Sequence, residues 1–323
     1  MMKKSVLFVM VAIFLAVSLI GCAAPAVAEE APAETTSVTV EHKLGAVEVT
    51  KNPQTVVCID LASVDTLKAL GVADSVAAVS NIPAAYLSDV IDGLPVVGSM
   101  FEPDYEAIAE LEPDLILISA RTASVYEDLA EIAPTVYLNY PGIDNPSIVD
   151  TVKENVELLA SLYGLEDKAA ELVAELDTAV AGTQEAVSTL ENKNALMLLV
   201  TGKVINAFGP EENSRYGYIY NIFGYESTTS QEQIDEDAST HGDSISFEFI
   251  AEVNPDYIFV IDRAAITGDS DVAASDTLDT EFVDGTNAGQ NGNIIYISSE
   301  HWYLTVGGYS SLMQIVSELN PAN

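Results

Sequence analysis

Only three arginines occur in the 323-residue chain, Arg121, Arg215 and Arg263, against fifty acidic residues. Arg121 and Arg263 lie 142 positions apart, each just beyond a short apolar run, Leu115-Ile116-Leu117-Ile118 and Tyr257-Ile258-Phe259-Val260. Ligands of open α/β sheets gather at the carboxyl ends of strands, so both guanidinium groups are expected to face a cleft. A guanidinium stays charged and offers a fixed fork of donors, which suits an anionic, oxygen-rich ligand. Histidines are equally scarce. His42 falls in an N-terminal hairpin, where exposure is expected; His241 sits in the polar turn Ser239-Thr240-His241-Gly242. A histidine there can reach into a cleft or remain a solvated turn residue. His301-Trp302-Tyr303-Leu304 contains the only tryptophan. No G-x-S-x-G, H-E-x-x-H, Walker loop or G-x-G-x-x-G is present, and no enzyme is indicated. A bare zinc or manganese site would draw on several histidines, of which few are available.

Elements able to position these residues follow from periodicity. An opening hairpin begins at Val38-Thr39-Val40, with a turn near Gly45. Short β-like runs then alternate with helical stretches, the pattern of α/β layers with largely parallel strands. From Ser147 to Leu190 the pattern is helical with one break at Gly164, and the strand pattern resumes at Ala195. Residues 109–118, AELEPDLILI, match residues 251–260, AEVNPDYIFV, without a gap, and YEAI at 105–108 faces FEFI at 247–250. Each copy reads as helix, Pro-Asp turn, buried strand, so the chain holds two related lobes. The expected fold is two Rossmann-like α/β lobes, 38–164 and 191–323, joined by one long helix over 165–190, with the ligand cleft between them. The same offset pairs Glu106 with Glu248, one exposed carboxylate per lobe.

Twelve Lys+Arg against fifty Asp+Glu leave a formal charge of −38, which repels phosphate backbones and excludes nucleic acid as a general partner. At the N-terminus, Lys3 and Lys4 precede an apolar run from Val6 to Ile20, the layout of an export signal. That run ends Leu19-Ile20-Gly21-Cys22, which resembles the lipobox of bacterial lipoproteins. The implied leader is 1–21, with Cys22 acylated and 22–37 an Ala/Pro/Glu/Thr tether. The protein would be extracytoplasmic, lipid-anchored at the outer face of the cytoplasmic membrane or in the periplasm. The other cysteine, Cys58, lies in the apolar run Thr55–Ile59 and reads as a buried strand thiol.

Five motifs resemble one family: Ile118-Ser119-Ala120-Arg121, Ser214-Arg215-Tyr216-Gly217, Ser239-Thr240-His241-Gly242, Val260-Ile261-Asp262-Arg263 and Trp302-Tyr303-Leu304. The likeness, running from about Val38 to the C-terminus, is to the helical-linker (class III) substrate-binding lipoproteins of ABC importers, in the group for catecholate and petrobactin-type siderophores. It implies that Arg121, Arg215 and Arg263 surround an anionic ferric siderophore, with Tyr216 and Trp302 also at the ligand. His241 and Tyr303 would reach the iron where the siderophore leaves positions open, a role that suits a hard phenolate and a borderline imidazole. Fe(III) enters only as the siderophore complex, with no intrinsic cofactor. The implied partners are the permease dimer with its ATPase, docked through Glu106 and Glu248, and the receptor would be a monomer. The same fold could instead hold haem or a corrinoid, with Tyr303 or His241 as axial ligand to a haem.

Overall fold

Strands rich in Val, Ile and Leu form two larger sheets beside a two-stranded hairpin in a computed structural model of the chain, which describes residues 36–211, 214–229 and 242–322. The leader, Cys22 and His241 lie outside the described residues. A hairpin comes first, β1 (Ser37–His42) and β2 (Gly45–Thr50), joined by a two-residue turn at Lys43-Leu44 so that Gly45 opens the second strand. His42 is partly buried rather than exposed. Its Nδ1 accepts the Leu44 N–H at 3.2 Å, its ring packs edge-on to Tyr126, and burial lowers its pKa.

The first lobe's sheet contains β3 (Val56–Cys58), β4 (Val76–Val79), β5 (Leu115–Ile118) and β6 (Thr135–Tyr137), in the order β4-β3-β5-β6 and parallel throughout. Strands covered on both faces need apolar side chains on both, and β3 and β5 are buried along their whole length. The second sheet contains β7 (Asn194–Thr201), β8 (Val204–Phe208), β9 (Glu226–Ser227), β10 (Asp243–Ser244), β11 (Tyr257–Asp262) and β12 (Ile294–Ile297). Its order is β10-β8-β7-β11-β12, with β9 beside β7; β8 joins the parallel core antiparallel to β7, and β10 pairs antiparallel with β8.

Between the sheets run two helices, Ile148–Tyr163 and Glu166–Ser188. The first ends at Gly164 in a left-handed conformation, φ 67°, whose N–H caps the Ala160 carbonyl. The last helix, Tyr309–Glu318, crosses back and packs on both of these and on the first-lobe helix Leu61–Leu70. There the buried Asp65 carboxylate accepts the Ser311 N–H at 2.9 Å and the Ser310 N–H at 3.3 Å. A negative group suits the positive end of that helix. Gly308 permits the approach, since a Cβ on it would lie 2.3 Å from Asp65 Oδ2. Residues from Thr36 onward accordingly form one compact unit.

The internal repeat has a structural meaning down to single residues. Asp104 and Ser246 cap the paired helices Tyr105–Glu110 and Phe247–Val253 by accepting from Ala107 N and Phe249 N. Glu112 and Asn254 then turn the chain in the left-handed region. Asp114 Oδ2 accepts the N–H groups of Gln54 and Thr55 at the entry to β3, and Asp256 Oδ2 accepts that of Asn194 at the start of β7. Each Pro-Asp turn thus fastens its strand to the neighbouring one, after which the chain runs to an arginine.

Candidate functional site

Arg121 lies in the 3-10 turn Ala120–Val125 beyond β5, and Arg263 directly follows β11, its N–H held by the Val200 carbonyl at 2.9 Å. Arg215 occupies the turn closed by Gly217 N–H to the Ser214 carbonyl. Tyr303 is in a π-helical turn, Glu300–Leu304, a geometry that re-aims side chains within one turn. All three arginines converge on Tyr303. Arg121 Nη2 and Arg215 Nη2 donate to its backbone carbonyl at 2.6 and 3.1 Å, while Arg263 Nε donates to its hydroxyl at 3.0 Å. The guanidinium carbons lie 5.6, 4.3 and 5.7 Å from the ring centre, within cation–π range.

A second tyrosine completes the cluster. The Tyr140 hydroxyl accepts from Arg121 Nη2 at 2.9 Å and from Arg215 Nη2 at 3.3 Å. Two guanidinium groups and two oxygens thereby close a ring between the lobes. Sequence reasoning passed over Tyr140, one of fourteen tyrosines; its position three residues past the end of β6 was the available signal, by the same strand-end rule that pointed to Arg121 and Arg263.

Arg263 forms an ion pair with Asp269, whereas Arg121 and Arg215 have none among the described residues. Burial opposes the Arg215 charge, but the hydroxyls of Tyr140, Tyr216 and Tyr303 outweigh it and its pKa rises. The Arg263 pKa likewise rises, because the Tyr303 hydrogen bond and Asp269 overcome desolvation. Burial pushes the Asp60 carboxyl up to about 6, with Arg121 pulling in the opposite direction. The result is a positive cluster inside a strongly acidic chain, able to hold an anion of several oxygens.

Tyr216 and Trp302, expected at the ligand, are fully buried. The Tyr216 ring centre is 5.3 Å from the Arg215 guanidinium carbon; Trp302 stacks on Tyr218 and donates its indole N–H to Glu318 at 2.6 Å. Tyr216 thus packs against Arg215 and, with ring centres 6.1 Å apart, against Trp302. Tyr303 retains 8% exposure. His301 is held by Ser311 through Nδ1 at 3.0 Å, and burial lowers its pKa. Cys58 is fully buried, its thiol pushed up to about 12 by desolvation. Glu106 and Glu248 are exposed in the first turns of the two repeated helices. No group of three His, Cys, Asp or Glu side chains among the described residues is placed to hold a metal ion, and no helix among them is long and apolar enough to cross a membrane.

With two lobes and an arginine cluster at their strand ends, the chain belongs to the periplasmic binding protein family, whose profile matches residues 56–301. It is 38% identical over 286 residues to the petrobactin-binding protein YclQ of Bacillus subtilis, covering 87% of each chain. The crystal structure of YclQ superposes with a TM-score of 0.80 at 37% identity, over 88% of this chain and 98% of that one. The ferric-anguibactin-binding protein FatB of Vibrio anguillarum is 31% identical over 327 residues, covering 98% of each. The periplasmic catecholate-siderophore binding protein VctP of Vibrio cholerae matches with a TM-score of 0.78 at 28% identity, over 88% of this chain and 99% of that one.

Proposed function

We propose that this protein is the extracytoplasmic receptor of an ABC importer for an anionic, catecholate-type ferric siderophore. The convergence of Arg121, Arg215 and Arg263 on one point carries the reading. Two of these cations lack an ion pair among the described residues, although the chain bears fifty acids. Ferric catecholate complexes carry net negative charge and a shell of oxygens, which a planar fork of donors recognises better than ammonium groups do. The names of YclQ, FatB and VctP, all binders of siderophores, point the same way.

Lobes 38–164 and 191–323, joined by the 165–190 helix, hold the complex between them as a monomer. His241 and Tyr303 take iron positions that the siderophore leaves open. Cys22 carries the lipid anchor behind a leader of 1–21 and a tether of 22–37, and Glu106 and Glu248 dock the loaded receptor on the permease. Titrating purified protein with a ferric catecholate complex tests this. The visible charge-transfer band should co-elute with the protein while Trp302 fluorescence is quenched. Arg121→Ala, Arg215→Ala and Arg263→Ala should each weaken binding by roughly 1.5–3 kcal/mol, with Lys recovering part. Retention of haem with a sharp Soret band, and no uptake of the ferric complex, would replace this assignment.

A further inference from the structure

Tyr140 is held as firmly as any arginine in the cluster. It is 4% exposed, and its N–H donates to Asp144 Oδ2 at 2.8 Å. The same oxygen receives the Tyr137 hydroxyl at 2.6 Å, and Lys43 of the hairpin turn pairs with the other carboxylate oxygen. Between them, Gly142 turns in the left-handed region, φ +76°, where a Cβ would sit 3.4 Å from the Arg215 Cα. The loop is thus pressed against Arg215 and braced from behind by a buried carboxylate.

A phenol oxygen accepts two hydrogen bonds and donates one. In Tyr140 both acceptor positions are taken by guanidinium groups, one from each lobe. What remains is the O–H proton. Burial disfavours ionisation of this phenol, but the charges of Arg121 and Arg215 outweigh burial and the net direction is downward, even with Asp60 opposing. An O–H polarised by two cations is a stronger donor than an ordinary tyrosine.

Resting on the siderophore reading above, we infer that Tyr140 is a further ligand-binding residue, whose hydroxyl donates a hydrogen bond to an anionic oxygen of the bound catecholate while Arg121 and Arg215 hold its oxygen in place. The proton stays on Tyr140 throughout; no bond to iron is formed. Its acceptor positions draw on both lobes, Arg121 from the first and Arg215 from the second.

The test compares ferric catecholate binding by the wild-type full chain, Tyr140→Phe, and a chain carrying 3-fluorotyrosine at position 140. Wild-type binding comes first: if the wild type binds no ferric catecholate, the siderophore reading itself has failed. Given wild-type binding, Tyr140→Phe keeps the ring and should lose roughly 10- to 100-fold in affinity, the size of one hydrogen bond to a charged group. Fluorination makes the hydroxyl a better donor and a poorer acceptor, so 3-fluorotyrosine should bind more tightly than wild type. Proton release, read by calorimetry in two buffers of different ionisation heat, should match between wild type and Tyr140→Phe. Equal affinity for Tyr140→Phe overturns the inference. Weaker binding by the fluorinated chain also overturns it and leaves Tyr140 as a brace for the arginines. One extra proton released by wild type would mean phenolate on iron, again against it.

Discussion

Glu112 and Asn254, 142 positions apart, both turn the chain with left-handed backbone, at φ 46° and 42°. Asparagine tolerates this region, whereas a glutamate Cβ is strained there by about 1–2 kcal/mol. Copying the twin, Glu112→Asn, should therefore raise unfolding stability by about 1 kcal/mol. Asn254→Glu should cost about 2 kcal/mol, since it also removes the acceptor of the Asn287 N–H at 2.8 Å. Urea midpoints at neutral pH check both, and equal stability of Glu112→Asn and wild type would show that the turn is relaxed.

Asp65 carries the join between the first lobe and the last helix. Asp65→Ala leaves the buried Ser311 N–H and the half-buried Ser310 N–H without their acceptor and should cost about 2–3 kcal/mol. Because Ser311 also holds His301 and Thr305, the Tyr303 turn should loosen with it. Asp65→Asn keeps one acceptor oxygen and should recover part of the loss. A thermal melt with Trp302 fluorescence reads both effects; an Asp65→Ala melt identical to wild type would be inconsistent with this role.

Asp60 gives the fold a pH dependence. Its carboxyl titrates at about 6 when folded, against 3.8 for the free side chain. Between those values the folded state holds the extra proton, so the stability contributed by Asp60 is complete below about 4 and is lost as pH rises through about 6. Asp60→Asn, which cannot ionise, should match wild type at pH 4 and exceed it by on the order of 2 kcal/mol at pH 7. Denaturant curves across that range decide the matter, and a gap that does not change with pH would refute it.

Glu106 and Glu248 occupy equivalent exposed first-turn positions in the two repeated helices. Glu106→Lys with Glu248→Lys should abolish siderophore-dependent iron uptake in cells and leave ferric-siderophore affinity unchanged. Normal uptake by the double variant would return both to ordinary solvated surface.

Much of this was legible from local pattern. Buried parallel strands leave unbroken apolar runs, so β5 and β11 announce themselves, and the repeat aligns their arginines. Tyr140 and Trp302 were not readable in this way, for opposite reasons. Nothing local distinguishes Tyr140 from the other tyrosines; its role arises where two distant arginines meet its oxygen. Trp302 sits in a motif with Tyr303, and both are buried in the π-helical turn, the indole at 0% exposure and held by Glu318, the phenol among the arginines. The return of the last helix to the first lobe likewise depends on Asp65 and Gly308 meeting across most of the chain.

That return sets an order of events during synthesis. The first lobe's helix Leu61–Leu70 cannot acquire its covering helix until residues near 316 have been made, because the two are joined by contacts spanning 246 residues. Contacts of such separation form late and slowly. A nascent chain stopped before Tyr309 leaves that face of its own first lobe uncovered, so the first lobe's packing is finished only when the Tyr309–Glu318 helix has been made.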